Sequence, residues 1–392
     1  MPTHPTKSAQ DAAWTQVLRF RVSKDDSGPS PETVRLFKNQ RQRCAIQVEV
    51  VVGDQDAFPV AIGIDEIKAR LRLVHYTAQA PELGTNNDGY AQYFDPGDYV
   101  WDESILLAAE RFADEGGSTG NDVARAATRS RNEPSDTCTV YVQASPSATN
   151  KRVGARFLLP DGASYAYTTH SQVDDPNGDG DGNGLFNSSV NIQPVGFPTL
   201  PVGNYGDVAS DGTLIATPVG TKDAYYWAEE HFLHVNLNGY ELELKSVGAA
   251  EGGTTGFAAY KRSSGVLAPV LWGISYHSQP GSDVAESLPL APLHHLNVAV
   301  RPDTSESPPA RIEDPKAMYN NCVGTIENAD SYKVVIGLLQ GKTFPVTFET
   351  SANGSVSDVA KTTLHIMDVY GNDHALSLTL QSEPNKIRLA KA

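Results

Sequence analysis

The chain has 392 residues, 31 Lys and Arg against 47 Asp and Glu, and a formal net charge of −16. Neutralising phosphates needs clustered Lys and Arg, so this balance argues against nucleic-acid binding. No run of about 18 apolar residues is present to span a membrane as a helix. Apolar residues make up 40% of the chain, which excludes a wholly disordered polymer. At roughly 100–200 residues per domain, two or three domains are expected.

Residues 1–16 are polar, lack an apolar signal core and are expected to form a flexible tail; without a signal peptide the chain is expected to be made and used in the cytoplasm, exported by an unusual route, or released by lysis. A β-rich domain with short helices is predicted over 17–130. Its strands are Val17–Val22, then, after a Ser/Pro/Gly loop, Cys44–Val52, and later Leu71–Tyr76. A helix is predicted over Ser104–Asp114, where Ile105, Ala108, Ala109 and Phe112 fall on one stripe. A second is predicted over Asp122–Thr128, capped by Asn121. From residue 131 to 301 the chain reads as a central β domain, with strands at Thr139–Val142, Arg152–Leu159, Ser164–His170, Val190–Val195, within 230–247, at Leu267–Tyr276 and at Leu296–Val300. Asn238-Gly239 tolerates positive φ at both turn positions and predicts a hairpin pairing Leu237 with Tyr240, Val235 with Leu242 and Leu233 with Leu244. The other face then sets Asn236 against Glu241 and His234 against Glu243. Pro302–Pro315 holds four prolines and reads as a linker. Strands at Lys333–Leu339, Pro345–Thr350, Thr362–Met367 and Ala375–Leu380 predict a small C-terminal sandwich over 316–392. The fold class is therefore mainly β: multidomain antiparallel β-sandwiches with a few short helices in the N-terminal third.

Asp368-Val-Tyr-Gly371-Asn372, followed by alternating Leu376, Leu378 and Leu380, resembles the Asp-x-x-Gly-Asn hairpin of bacterial Ig-like modules, with Tyr370 where the family often has a short residue. Such modules occur in adhesins and in tailed-phage particles. The resemblance implies a sandwich module and assigns no chemistry. The whole chain also has the general look of a phage or phage-like virion structural protein, being β-rich, acidic and supplied with unpaired cysteines.

The sharpest chemical signal is Asp174–Gly184. Asp175, Asn177, Asp179, Asp181 and Asn183 place oxygen-bearing side chains at positions 1, 3, 5, 7 and 9 of a loop, with Gly180 at position 6. This resembles the first half of an EF-hand or thrombospondin-type calcium loop. Phe186 stands at position 12, where a bidentate Glu belongs, so another segment must complete a Ca²⁺ shell. The rival reading is a solvated loop of turn residues. His231 and His234 would be helical neighbours, but the alternation around them reads as strand and separates them. Ser275 lacks the second glycine of a nucleophile elbow. Asp95 with Asp98, and Glu241 with Glu243, are acid pairs whose sequence spacing does not establish a sugar cleft. Tyr225-Tyr226-Trp227 suits packing or stacking on a sugar. Cys44, Cys138 and Cys322 match no redox or zinc spacing, and Cys44 and Cys138 are expected to be inert core thiols. The function expected is a non-catalytic structural or adhesive component of a virion, with no catalytic residue, partnered by itself, by other proteins or by a surface glycan. The alternative is a calcium-dependent carbohydrate-binding module or a carbohydrate-active enzyme on a sandwich scaffold.

Overall fold

The computed structural model describes residues 14–24, 32–114 except 78 and 86, 136–168, 188–249 except 207, 210, 215, 216 and 219–225, the strands given below between 255 and 350, and 361–392 except 381–386. The chain divides into two compact units, Met1–Pro198 and Thr199–Ala392.

In the N-terminal unit the elements are β1 (Gln16–Ser23), β2 (Glu32–Phe37), β3 (Arg43–Gly53), β4 (Pro59–Val60), α1 (Ile64–Arg70), β5 (Leu71–His75), β6 (Tyr90–Tyr93), α2 (Glu103–Asp114), β7 (Asp136–Ala144), β8 (Lys151–Leu158), β9 (Tyr165–Tyr167) and β10 (Val190–Val195). One sheet runs β1-β3-β7-β6, with β4 beside β3. The other runs β2-β10-β8-β5, with β9 beside β8. The alternating apolar residues of β3, from Cys44 to Val52, face inward and meet Val153, Ala155 and Phe157 of β8 in one core fed by both sheets. A sheet with one apolar face must bury it, and two such faces closing on each other make a sandwich. The Trp14 and Phe20 rings pack on Phe157 at 5.7 and 6.0 Å between centroids. The parallel pair β2 and β10, the only one among the described residues, is contacted by α2. Arg35 Nε of β2 and Gln193 Nε2 of β10 both donate to Glu110 of the helix, at 2.7 and 2.6 Å. The helical stripe is buried as expected, with Leu106 added to it.

In the C-terminal unit the strands are β11 (Thr217–Pro218), β12 (Tyr226–Leu233), β13 (Val235–Leu237), β14 (Tyr240–Leu242), β15 (Leu244–Ala249), β16 (Thr255–Lys261), β17 (Leu267–Tyr276), β18 (Leu296–Val300), β19 (Arg311–Glu313), β20 (Val334–Gly341), β21 (Val346–Thr350), β22 (Lys361–Asp368), β23 (Asp373–Leu380) and β24 (Ile387–Lys391), with a 3-10 turn at Val202–Tyr205. They form sheets β11-β12-β20-β17-β16, β13-β14, β15-β22-β23-β24 and β19-β18-β21. Leu233, Val235, Leu237, Leu242, Leu244, Leu364, Ile366, Leu376 and Leu389 are all buried. The mainly β, multi-sheet class expected from the sequence is what the chain adopts.

The domain boundaries differ from those expected. β7 completes the sheet of β1 and β3, and β8 and β10 that of β2 and β5, so no break falls between 130 and 131. β12 pairs with β20 and β15 with β22, so 131–301 is not a domain and 316–392 does not stand alone. Within the expected linker, Arg311–Glu313 is a strand paired with β18 at the edge of its sheet, a place where flanking prolines are tolerated. The expected tail also ends earlier: Trp14 is buried, Thr15 N donates to Gly53 O and Gln16 opens β1. Residues 1–13 and the expected helix over 122–128 lie outside the described residues.

Candidate functional site

All five expected metal ligands, Asp175, Asn177, Asp179, Asp181 and Asn183, lie outside the described residues, as do Phe186, His294, His295 and Cys322. The residues that carry the acidic loop are described. Thr168, fully buried after β9, donates its N–H to Ala155 O and accepts from Ala155 N at Oγ1, at 3.0 and 2.8 Å. Ser188 N donates to Thr168 O at 3.3 Å, and Ser188 Oγ accepts from Val22 N at 2.8 Å. The two residues that bracket 169–187 are therefore hydrogen-bonded to each other, beside the core. With the loop's ends already held together, part of the entropy cost of ordering it is met by the fold. If the acids do hold calcium, a thermal melt in millimolar Ca²⁺ should run several degrees above one in EDTA, and Asp179→Ala should remove the difference. Equal melts would leave a solvated connector. Among the described residues, no group of three or more His, Cys, Asp or Glu is placed to hold a metal ion.

On the outer face of β8, Arg152 and Arg156 alternate with the buried Val153, Ala155 and Phe157. Arg156 stands opposite Arg72 of β5 on one side and Tyr167 of β9 on the other. Like charges directly opposed repel, and Glu82 bridges them, 2.7 Å from Arg156 Nη2 and 3.5 Å from Arg72 Nε. The Arg156 guanidinium also lies 4.9 Å above the Tyr165 ring. Arg152 stacks 4.1 Å above Tyr76 and donates from Nε to Ser189 Oγ at 2.7 Å. Arg72 and Arg156 thus share one carboxylate, and the described contacts put none on Arg152, whereas Arg19, Arg35, Arg43 and Arg70 each face an acid. Beside this face, Asp88 ties down the loop before β6, accepting from His75 Nε2 at 2.7 Å and from the N–H groups of Gly84 and Tyr90 at 3.0 Å each.

In the C-terminal unit, the Asp368–Asn372 motif forms the β22–β23 turn. Asp368 Oδ1 accepts from Asn372 N at 2.8 Å, and Oδ2 accepts from Asn372 Nδ2 and is bonded to His374 Nε2, both at 3.1 Å. His374 Nδ1 lies 3.4 Å from the Tyr205 hydroxyl. Asp368, Asn372, His374 and Tyr205 are all buried. A tyrosine–histidine–aspartate chain resembles a relay, but a nucleophile must be reached by substrate, and this hydroxyl is closed in. The network ties the turn at 202–205 to the far hairpin.

The Asn238-Gly239 hairpin has the expected register over Val235–Leu242, with φ of 50° and 85° at the turn. It ends sooner than expected. Leu233 pairs with Val334 and Leu244 with Asp368, so the two strands leave for different sheets. His234 N donates to Tyr205 O, Val369 N donates to Glu243 O, and the described residues show no His234–Glu243 ion pair. His231 lies within β12 and Ser275 within β17, both in extended chain. Asp95 pairs with Arg43, which stacks 3.6 Å from the Tyr93 ring.

Cys44 and Cys138 are buried, unpaired thiols. Burial pushes the Cys44 thiol up from 9.0 to about 12. Burial, and then the Asp368 carboxyl, push the Tyr205 phenol up from 10.0 to about 12. The fold holds both groups protonated. Their contribution is complete below the unfolded values and lost as pH rises through the folded ones, at roughly 1.4 kcal/mol per pH unit for each group. Denaturant melts between about pH 9 and 12 should show falling stability, with a shallower fall for the N-terminal unit in Cys44→Ala. An unchanged slope in that variant would mean that the thiol is not the group titrating.

No protein-family model matches the chain, and no curated protein matches it. Among solved structures, it is similar to the C-terminal domain of the Streptococcus pyogenes antigen I/II-family protein AspA, at 10% identity over 97% of this chain and 100% of that one. The TM-score of 0.18 gives that likeness no weight for fold or function.

Proposed function

We propose that this protein is a non-catalytic structural or adhesive component of a tailed-phage or phage-like particle, working by assembly with itself or with other particle proteins. The observation that carries the non-catalytic half is the placement of its reactive groups. Among the described residues, Cys44, Cys138, Asp368, His374 and Tyr205 are buried, and the last three join the β22–β23 turn to the turn at 202–205. The particle half is supported by the β-rich architecture, the acidic chain, the unpaired thiols and the Asp368–Asn372 hairpin that resembles Ig-like modules of such particles. A second reading, a calcium-dependent carbohydrate-binding module, is favoured by the closed base of the acidic loop at Thr168 and Ser188.

Sedimentation velocity from low to high micromolar concentration tests the first reading. Reversible growth to a defined oligomer, without turnover of polysaccharide substrates, is the expected result, because particle components close into symmetric assemblies. A strictly monomeric protein that cleaves a polysaccharide would overturn it.

A further inference from the structure

We propose that the outer face of the β2-β10-β8-β5 sheet, at Arg72, Arg152, Arg156 and Tyr165, binds a carboxylated saccharide. This rests on the adhesive part of the reading above and gives that adhesion a ligand class.

The face is a local inversion of charge. In a chain of net charge −16, it sets two guanidinium groups against the single carboxylate of Glu82, with a third, Arg152, two positions along the same face. The Arg156 Nε is buried with no hydrogen-bond partner, as are those of Arg19 and Arg43, although its Nη2 is bonded. Arg152 bonds through Nε to Ser189, and the described contacts put no carboxylate on its guanidinium. Glu82 supplies one negative charge to the two of the Arg72–Arg156 pair, so an arriving anion would complete the neutralisation. Guanidinium forks match carboxylates in geometry, each with two parallel N–H donors.

The rings narrow the class. Tyr165 is 37% exposed and lies 6.0 Å from Tyr167, its neighbour on the same face of β9. Two tyrosines flanked by arginines offer an apolar plane and a polar rim, the combination that suits a sugar ring carrying a charge. Arg152 and Arg156 are four residues apart on one strand, about 13 Å, a span for several consecutive rings rather than one. A polyglutamate chain would bring the charge without a flat ring for Tyr165. Single-stranded nucleic acid would bring both rings and charge, and is therefore the rival polyanion that a direct comparison must exclude.

The test is calorimetric titration of the full chain with oligogalacturonate, with its methyl ester as the uncharged control, and with polyglutamate and a single-stranded oligonucleotide as rival polyanions. Binding to oligogalacturonate that weakens with salt, is absent for the ester, and falls about tenfold in both Arg152→Ala and Tyr165→Ala is expected. Both side chains are exposed, and unchanged melts will show that the variants fold. No binding to oligogalacturonate overturns the proposal. So does equal or tighter binding of polyglutamate or the oligonucleotide, or indifference to both substitutions. Failure here leaves assembly untouched, since sedimentation reads that separately. Success in a protein that never assembles would retain the ligand and remove the particle.

Discussion

Asp368→Ala should cost the C-terminal unit about 4 kcal/mol or more, while Asp373→Ala, five residues away in the same hairpin, should shift stability by less than about 0.5 kcal/mol. Asp368 is fully buried and is the acceptor for Asn372 N, for Asn372 Nδ2 and for the His374 ring. Removing it strands several buried polar groups at once, each costing roughly 1–3 kcal/mol. The loss should also reach Tyr205, whose hydroxyl is bonded to His374 at the end of a turn far away in sequence. Asp373 is about half exposed and lies 3.7 Å from His365, a surface pair in which solvent screens most of the attraction. Urea melts of the two variants read the contrast. Equal costs would mean that the buried network does not hold this unit together.

The second large effect is expected at the short hairpin. Leu242 is 1% exposed, and Leu242→Asp puts a charge into that core, at a cost of roughly 3 kcal/mol or more. Glu241, its exposed neighbour, should accept lysine with a change below about 1 kcal/mol. Asn238→Pro should be damaging as well, since proline cannot adopt the φ of 50° found there. Comparable mild effects of Leu242→Asp and Glu241→Lys would contradict the register.

These two regions show what could be read in advance. The register of Val235–Leu242 follows from a dipeptide that accepts positive φ and from period-two alternation, both local properties. The helix stripe of α2 and the apolar runs of β3, β17 and β18 are legible for the same reason. Short strands without a full alternating run are not legible: β2 falls in the expected loop before Cys44, and β6 and β24 carry no clear period-two signal. The pairing of those strands was not legible either. Ala249 meets Leu364 and Leu233 meets Val334, across more than a hundred residues, and no spacing in the chain records that. The domain division drawn at the proline-rich stretch failed because a rigid segment between strands need not separate the sheets those strands enter.

The candidate sites divide in the same way. Arg152-x-Gly-x-Arg156 and Tyr165-x-Tyr167 each place their ends on one face of a strand, a signal present in the sequence. That the two strands are neighbours, and that Arg72 stands opposite Arg156, is set by the sheet. The Tyr205–His374 contact spans 169 residues and had no sequence signal at all. The Asp368–Asn372 motif was visible, but its buried histidine partner became clear only from the turn geometry.

Electron microscopy of the purified protein, at the concentration where it associates, tests the assembly claim most directly. The account predicts closed, symmetric particles of one size that persist in EDTA and survive addition of saccharide. Featureless single copies at every concentration, accompanied by turnover of a polysaccharide, would contradict it.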